Sequence, residues 1–412
     1  MTTFRDAVDH LRTLVRRHGR DAAWLTSSTI ATLGAQAVLA VVLARLVSVE
    51  GYGAYRALVS AFGIALIGFL PGMEFMLVRD IARGSPSGGL LTRWMLPASV
   101  LAGVAFALLV PRAIPADYHR PLLWMTAALF PAAVITRLPE IIAHGRSAFR
   151  ALARIRLLVA LAPPLATLAV AWKTKRPESL FLGTMLGTVA ATLPFLGRTS
   201  LRSLWTPASP ASVRAGFVHT VVRGQTTLRL HLSQLLVGSS LGFDGLALYS
   251  VAVLLLEALR SLEVTVHTLS FPRFAIGTPD DGVRALRRSL PALLLGWLGV
   301  AVLAAGAAPF LLRLTFPPPY HVVALPTQLL LLGTVVLLPS LLFQSYLRAH
   351  DGTRTLLVSE TVATAGELGA LALLLPAWGI TGAVGAKLIG FVLLSSLQAA
   401  GVFKTPRGSP ST

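Results

Sequence analysis

Ionisable and polar side chains recur at helical spacing inside stretches that are otherwise apolar. In the run near 216–239, Gln225, Arg229 and Ser233 stand four residues apart, on one face of a helix. Arg223 lies in the same run, with His219 one turn before it. In the run near 246–270, Glu257, Arg260, Glu263 and His267 fall within about a third of a helix circumference, at about 100° per residue. Glu360 and Glu367 share a face of the run near 355–375, and Lys387 sits near the outer end of the run near 384–402. Arg45 and Arg56 stand at the outer ends of the first two runs, and Glu74 near the inner end of the second.

Charged groups in hydrocarbon are costly, so they mark substrate paths, ion sites or buried pairs. Arg229 and Arg260 are the deepest arginines by residue count. Two guanidinium groups facing one cavity attract a phosphate or pyrophosphate by charge and forked geometry. Arg260 can equally pair with Glu257 or Glu263 one turn away, and both readings hold together if that pair is solvated. Arg223, Gln225, Arg45 and Arg56 complete the candidate substrate contacts, the last two also reading as interfacial anchors. Glu257, Glu263, Glu367 and Glu74 are the candidate ion-coupling carboxylates, and nothing in the spacing selects one. Lys387 can pair with Glu367 from a neighbouring span or snorkel outward, and snorkelling is the expectation.

The elements that carry these groups follow from composition. The chain has 412 residues, 54% hydrophobic and 13% charged, with a mean hydropathy of +0.72. That apolar content is spread along the chain, which implies many membrane spans and not a single anchor. A hydrocarbon core of about 30 Å needs about 20 apolar residues in helix. Twelve runs meet this: near 23–45, 55–78, 94–111, 122–142, 157–172 and 180–197, then 216–239, 246–270, 289–312, 323–346, 355–375 and 384–402. The fifth is the weakest, being short and carrying Pro163-Pro164. The runs lack a two-residue alternation, which selects helices over a barrel. The fold class expected is an all-α integral membrane protein, with two six-helix halves around a central cavity.

Orientation follows from the basic residues. About 25 of the 36 Lys and Arg fall in one set of loops: the N-terminus, 79–93, 137–156, 198–223, 272–289, 347–354 and the tail. Basic loops stay cytoplasmic, so both termini are expected inside, at the cytoplasmic membrane. The net charge of +19 is explained by these loops beside anionic lipid, and nucleic acid is not an expected partner. Residues 1–22 are charged and the apolar run after them is too long for a cleavable signal, so none is expected. The domain reading is a first half at 1–200, a Ser/Pro/basic linker at 201–215, a second half at 216–402, and a disordered tail at 403–412. There is no cysteine, Gly-rich phosphate loop, nucleophile elbow or metal-ligand cluster, and outward loops are about ten residues or fewer. Neither a cofactor nor enzymatic activity is expected.

One turn is written twice. Glu50-Gly51 with Tyr55, between the first and second spans, matches Asp244-Gly245 with Tyr249, between the seventh and eighth. Arg79 and Arg273 match at the same offset. This reads as a parallel duplication about an axis along the membrane normal, the plan of transporters whose halves rock against each other. Pro71-Gly72 interrupts the second span near its inner end, as a kink that either lines a cavity or packs.

The stretch "VLARLVSVEGYGAYRALVSAFG" resembles the opening of the polysaccharide flippase family, the Wzx-like members of the MOP (multidrug/oligosaccharidyl-lipid/polysaccharide) exporter superfamily. The matched positions are Ala44-Arg45-Leu46, Glu50-Gly51-Tyr52-Gly53 and Tyr55. "EFMLVRDIAR" (74–83), "LLVGSSLGFDGLALYSVA" and "LPAWGITGAVGAK" (375–387) resemble later family segments in order. Where the family often carries an Asp followed by a basic residue, this chain has Ser233-Gln234. The resemblance implies a flippase that moves a polyprenyl-pyrophosphate-linked oligosaccharide by alternating access. Its implied partners are that anionic glycolipid, membrane lipids and other polysaccharide-assembly proteins. The competing transporter reading is a cation-coupled multidrug exporter of the same superfamily, which usually needs buried acids in the first half. Here the first span has none and the second has only Glu74.

Overall fold

The structure is a computed structural model that describes residues 27–28, 30–84, 89–113, 120–146, 148–196, 206–276, 278–350 and 352–404. The side chains of 112–113, 149, 196, 261–273, 275–276 and 404 lie outside that description, and so do the tail beyond 404 and residues 201–205 of the 201–215 linker. Among the described residues the chain is built of helices. They are α1 Ile30–Leu46, α2 Val49–Ala65, α3 Pro71–Ala82, α4 Leu96–Ala113, α5 Arg120–Ala128, α6 Phe130–Ile135 and α7 Leu138–Gly145. They continue as α8 Phe149–Lys173, α9 Pro177–Leu196, α10 Pro210–Ile276, α11 Pro279–Thr315, α12 Ala324–Ala349 and α13 Thr353–Lys404.

Nine helical stretches among the described residues are long and apolar enough to cross a membrane. Two of these, Pro210–Arg260 and Thr353–Phe403, run for 51 residues each. At 1.5 Å per residue such a length is about 75 Å, more than twice a hydrocarbon core. Each is broken by a glycine, Gly242 at φ 72°, ψ 179° and Gly379 at φ 56°, ψ −135°, backbone that L side chains rarely adopt. The two limbs of α13 fold back as a hairpin, with Thr355 against Gly401 and Leu393 against Gly366. Counting each broken stretch as two spans and adding the shorter α1 gives the twelve that the sequence predicts. The doubtful fifth span is one helix, α8, running through Pro163 and Pro164. Its Thr167 hydroxyl bonds back to the Pro163 carbonyl at 2.8 Å and meets Thr184 of α9 at 2.7 Å. Large apolar side chains such as Trp172 (79% exposed) and Leu303 (75%) face outward, as lipid contact allows.

The chain forms two compact units. One comprises residues 1–39 and 68–219, the other residues 40–67 and 220–412. The second unit therefore takes in the end of α1 and all of α2. The passage at 67–68 falls in a 3₁₀ turn, Leu66–Phe69, followed by Leu70 at φ 56° and by Pro71 as the first residue of α3. The expected break at Pro71-Gly72 is thus a helix end, with proline placed where its missing N–H costs nothing.

Both copies of the repeated turn lie in the second unit. Ser48 caps α2, its hydroxyl accepting from the Gly51 amide at 3.1 Å, and Glu50 sits in the first turn where the helix dipole favours it. Gly242 occupies the matching place in the second copy. Tyr55 and Tyr249 are both buried. The two turns touch, for Gly53 lies with its backbone against the Phe243 carbonyl. Turns side by side within one unit belong on one face of the membrane. Reporters fused at 50 and 244 are therefore expected to score on the same side, and opposite sides would refute the parallel duplication.

Candidate functional site

The first limb of α10 and the first limb of α13 meet along the polar stripe that the sequence places at four-residue spacing. Gln225 donates to the Thr361 hydroxyl at 2.6 Å. One turn on, the Arg229 guanidinium lies 3.6 Å from Glu360 and 3.7 Å from Glu367. One turn further, the Ser233 hydroxyl contacts Glu367 at 3.1 Å and bonds back to the Arg229 carbonyl at 2.7 Å. Glu360 also accepts from Gln344 of α12 at 3.3 Å. The second limb of α13 adds Lys387, which donates to Glu367 at 3.1 Å. Arg229, Glu360, Glu367 and Lys387 are 6%, 5%, 1% and 3% exposed.

This is a buried group of two cations and two carboxylates, balanced in charge. Burying any one of them alone would be far more costly than burying the set, because each desolvated charge needs its partner. The set is also not saturated. Arg229 Nη1, Glu360 Oε2 and Glu367 Oε2 are buried without a hydrogen-bond partner, although each belongs to an ion-paired group. A proton taken by either carboxylate leaves the group with one net positive charge.

Lys387 corrects the expectation that it snorkels outward. Its ammonium is held inside by Glu367 across the α13 hairpin. Glu367 lies opposite Gly390, and Lys387 is one turn from that glycine, so a long flexible stem spans the difference.

The other candidates sit elsewhere. Arg260 makes a pair with Glu257 at 2.8 Å, as the structural alternative expects, with side chains 25% and 34% exposed. The side chain of Glu263 lies outside the described residues. Arg223 is exposed near the start of α10. Arg45 donates to the Thr315 and Leu314 carbonyls at 3.0 and 3.2 Å, closing the C-terminal end of α11. Arg56 reaches Gln234 at 3.5 Å, and Gln234 also accepts from the Ser60 hydroxyl. In the first unit Glu74 is bonded by Arg137, the residue just before α7, at 2.9 and 3.2 Å to its two oxygens. The structure therefore gathers Gln225, Arg229 and Glu367 into one cluster and leaves Arg45, Arg56, Arg260 and Glu74 with separate partners.

Sequence reasoning missed Ser60 and Gln234 as a buried polar pair, and Thr361 as the partner of Gln225. Single hydroxyls in apolar runs carry little signal, since they can bond to their own helix. Gln234 was visible only within a departure from a family pattern, and it bonds in a different direction from Ser233 beside it.

Solved structures share this architecture. An inward-facing multidrug resistance MATE family transporter of the MOP superfamily is 12% identical, with a TM-score of 0.62 over 92% of this chain and 94% of that one. A mutant of the Vibrio cholerae MATE transporter VcmN is 14% identical, with a TM-score of 0.60 over 95% and 98%. A MOP superfamily transporter from Pyrococcus furiosus, described as having a binding pocket of reverse polarity that suggests a different function, is 12% identical, with a TM-score of 0.60 over 93% and 94%. The chain is a multi-pass membrane protein with the fold of MOP-superfamily transporters. Within it, residues 18–154 match the family described as Polysaccharide biosynthesis protein. The segments around Ala44-Arg45-Leu46 and Glu50 that carry the sequence resemblance fall inside that match. Among curated proteins, none matches the chain.

Proposed function

We propose that the protein is a flippase that carries a lipid-linked oligosaccharide, anchored through a polyprenyl pyrophosphate, from the inner to the outer leaflet of the cytoplasmic membrane. It works by alternating access, with both termini in the cytoplasm, and serves cell-surface polysaccharide assembly alongside other proteins of that process. The observation that carries this reading is the match of residues 18–154 to a polysaccharide biosynthesis family, on a fold otherwise shared with exporters.

The arrangement of charge supports an anionic substrate. Arg260 and Arg223 keep part of their guanidinium surface accessible and suit a pyrophosphate, which takes forked donors. Arg229 reaches a headgroup only when Glu360 or Glu367 gives it up, and protonation of either carboxylate provides that release. Glu360 and Glu367 are accordingly the ion-responsive pair in this reading, with Glu257 tuning Arg260. A cationic drug would meet these same guanidinium groups at a Coulombic disadvantage.

Removing either arginine should slow transport. In reconstituted vesicles, Arg260→Ala is expected to reduce leaflet exchange of the pyrophosphate-linked glycan at least tenfold, as loss of a charge-assisted contact worth about 1.5–3 kcal/mol implies. Arg229→Ala is expected to do the same. Normal exchange in both correctly inserted variants would remove the anion site from these residues.

A further inference from the structure

The first unit carries a cleft that the transport reading does not use. It has a volume of about 690 Å³, within the range of small-molecule sites. Its walls come from the start of the third span and the start of α10, chiefly Arg93, Trp94, Val213, Arg214, Phe217 and Val218. Three features build it. The Gly89 amide donates to the Thr206 carbonyl at 2.7 Å, and a Cβ at Gly89 would lie 2.9 Å from that oxygen, so only glycine lets the two segments close. Ser212 of α10 is tied to α3 through Asp80 and Arg79, both at 3.1 Å. The turn Leu91–Met95 is a π-helix, a local widening found often at binding sites, and it presents Arg93 and Trp94 together.

The chemistry of the lining is specific. Arg93 and Arg214 are exposed, and among the described residues neither guanidinium makes a hydrogen bond or ion pair. Trp94 and Phe217, each 39% exposed, pack edge to face at 5.3 Å and leave apolar surface open beside them. Apart from the two guanidinium groups and the indole N–H, the described lining has no polar side chain, and no carboxylate. Such a wall offers a few donors and no side-chain acceptor for the hydroxyls of a glycan. It matches a molecule with one anionic group and an apolar body. Both arginines also belong to the basic loops expected in the cytoplasm, beside the leaflet that holds most anionic lipid.

We propose that this cleft binds an anionic phospholipid of the cytoplasmic leaflet, its phosphate held between Arg93 and Arg214 and its upper chains laid along Trp94, Phe217 and Val218. The site is independent of whether the transported molecule is a glycolipid. The bound lipid ties the start of the third span to the start of α10.

The test is native mass spectrometry of the purified full-length chain after incubation with mixed micelles of phosphatidylglycerol or phosphatidylcholine. The wild type should retain phosphatidylglycerol and not phosphatidylcholine. The double variant Arg93→Gln/Arg214→Gln should lose at least fivefold of that retention with an unchanged melting temperature in the absence of lipid. The control Arg150→Gln/Arg154→Gln removes equal charge from exposed sites on the same side and should retain lipid as the wild type does. Equal retention by the first variant, equal retention of phosphatidylcholine, or preferential displacement of phosphatidylglycerol by a polyprenyl phosphate would each overturn the assignment. Binding is read without glycan or gradient, so its failure and a failure of the transport reading are distinct results.

Discussion

Lys387→Met, made alone, will remove most of the folded yield of this protein, and adding Glu367→Gln will restore part of it. Lys387 and Glu367 are both nearly inaccessible and bonded at 3.1 Å across the two limbs of α13. Taking away the ammonium leaves Glu360 and Glu367 sharing Arg229, one carboxylate in excess in a medium that solvates charge poorly. Breaking a buried pair from one side costs about 3–5 kcal/mol, whereas replacing both members by neutral groups of similar size is often tolerated. Most single domains hold only about 5–15 kcal/mol in total, so the single variant should be seen directly. Monodisperse yield and melting temperature in detergent give the readout. The order expected is wild type highest, the double variant next and Lys387→Met lowest. A single variant as stable as the wild type would mean that the ammonium does not hold this position.

The second large effect is steric. In Gly53→Ala the new methyl would enter the shell of the Phe243 carbonyl, which is backbone and cannot swing away. The contact joins the two copies of the repeated turn, so relief requires the copies to separate. Gly242→Ala is a different experiment, because nothing lies within 4 Å of a Cβ there. Its penalty is conformational, about 1–3 kcal/mol for a φ of 72° with extended ψ. Gly369→Ala is the control, in helix with open space around its Cβ, and it should be neutral or slightly stabilising. The expected melting temperatures fall from Gly369→Ala through Gly242→Ala to Gly53→Ala. A Gly53→Ala variant that melts with the control would mean that the two turns are not in contact.

The fold was legible because hydrocarbon makes one strong demand, about 20 apolar residues in helix per crossing. The α10 and α13 stretches show where that demand stops informing. Gly242 and Gly379 interrupt long apolar sequence, where the reversal shows in the length of about two spans and, at the first, in the repeated Asp244-Gly245 turn. Proline misleads in the opposite sense. Pro163-Pro164 makes the fifth span look weak, yet α8 runs through both, while Pro71 does begin a new helix after Leu70 at positive φ.

The site was legible to the extent that helical spacing reaches. Gln225, Arg229 and Ser233 at intervals of four do form one interacting face, and Glu360 and Glu367 do face it. What spacing does not decide is whether a partner across a hairpin is taken. The sequence offers Lys387 both Glu367 on the neighbouring span and the headgroups, and its place near the end of a span favours the headgroups. Reading Gly379 as the turn places it within one helical turn of Glu367, and the pair then follows from desolvation alone. Arg45 shows the converse. The sequence offers it as an interfacial anchor or a substrate contact, and the structure adds that its guanidinium bonds the last carbonyls of α11, a demand that sequence does not display.

The central claim, that this fold carries an anionic lipid-linked glycan, is tested most directly in vesicles containing the purified chain. A fluorescent polyprenyl-pyrophosphate oligosaccharide is placed in one leaflet, and its exchange is followed beside the efflux of a cationic dye from the same preparation. Protein-dependent exchange of the glycolipid, lost in Arg260→Ala, with dye efflux no faster than in protein-free vesicles, is the predicted result. Gradient-driven dye efflux without glycolipid exchange would contradict the account and assign the protein to drug export.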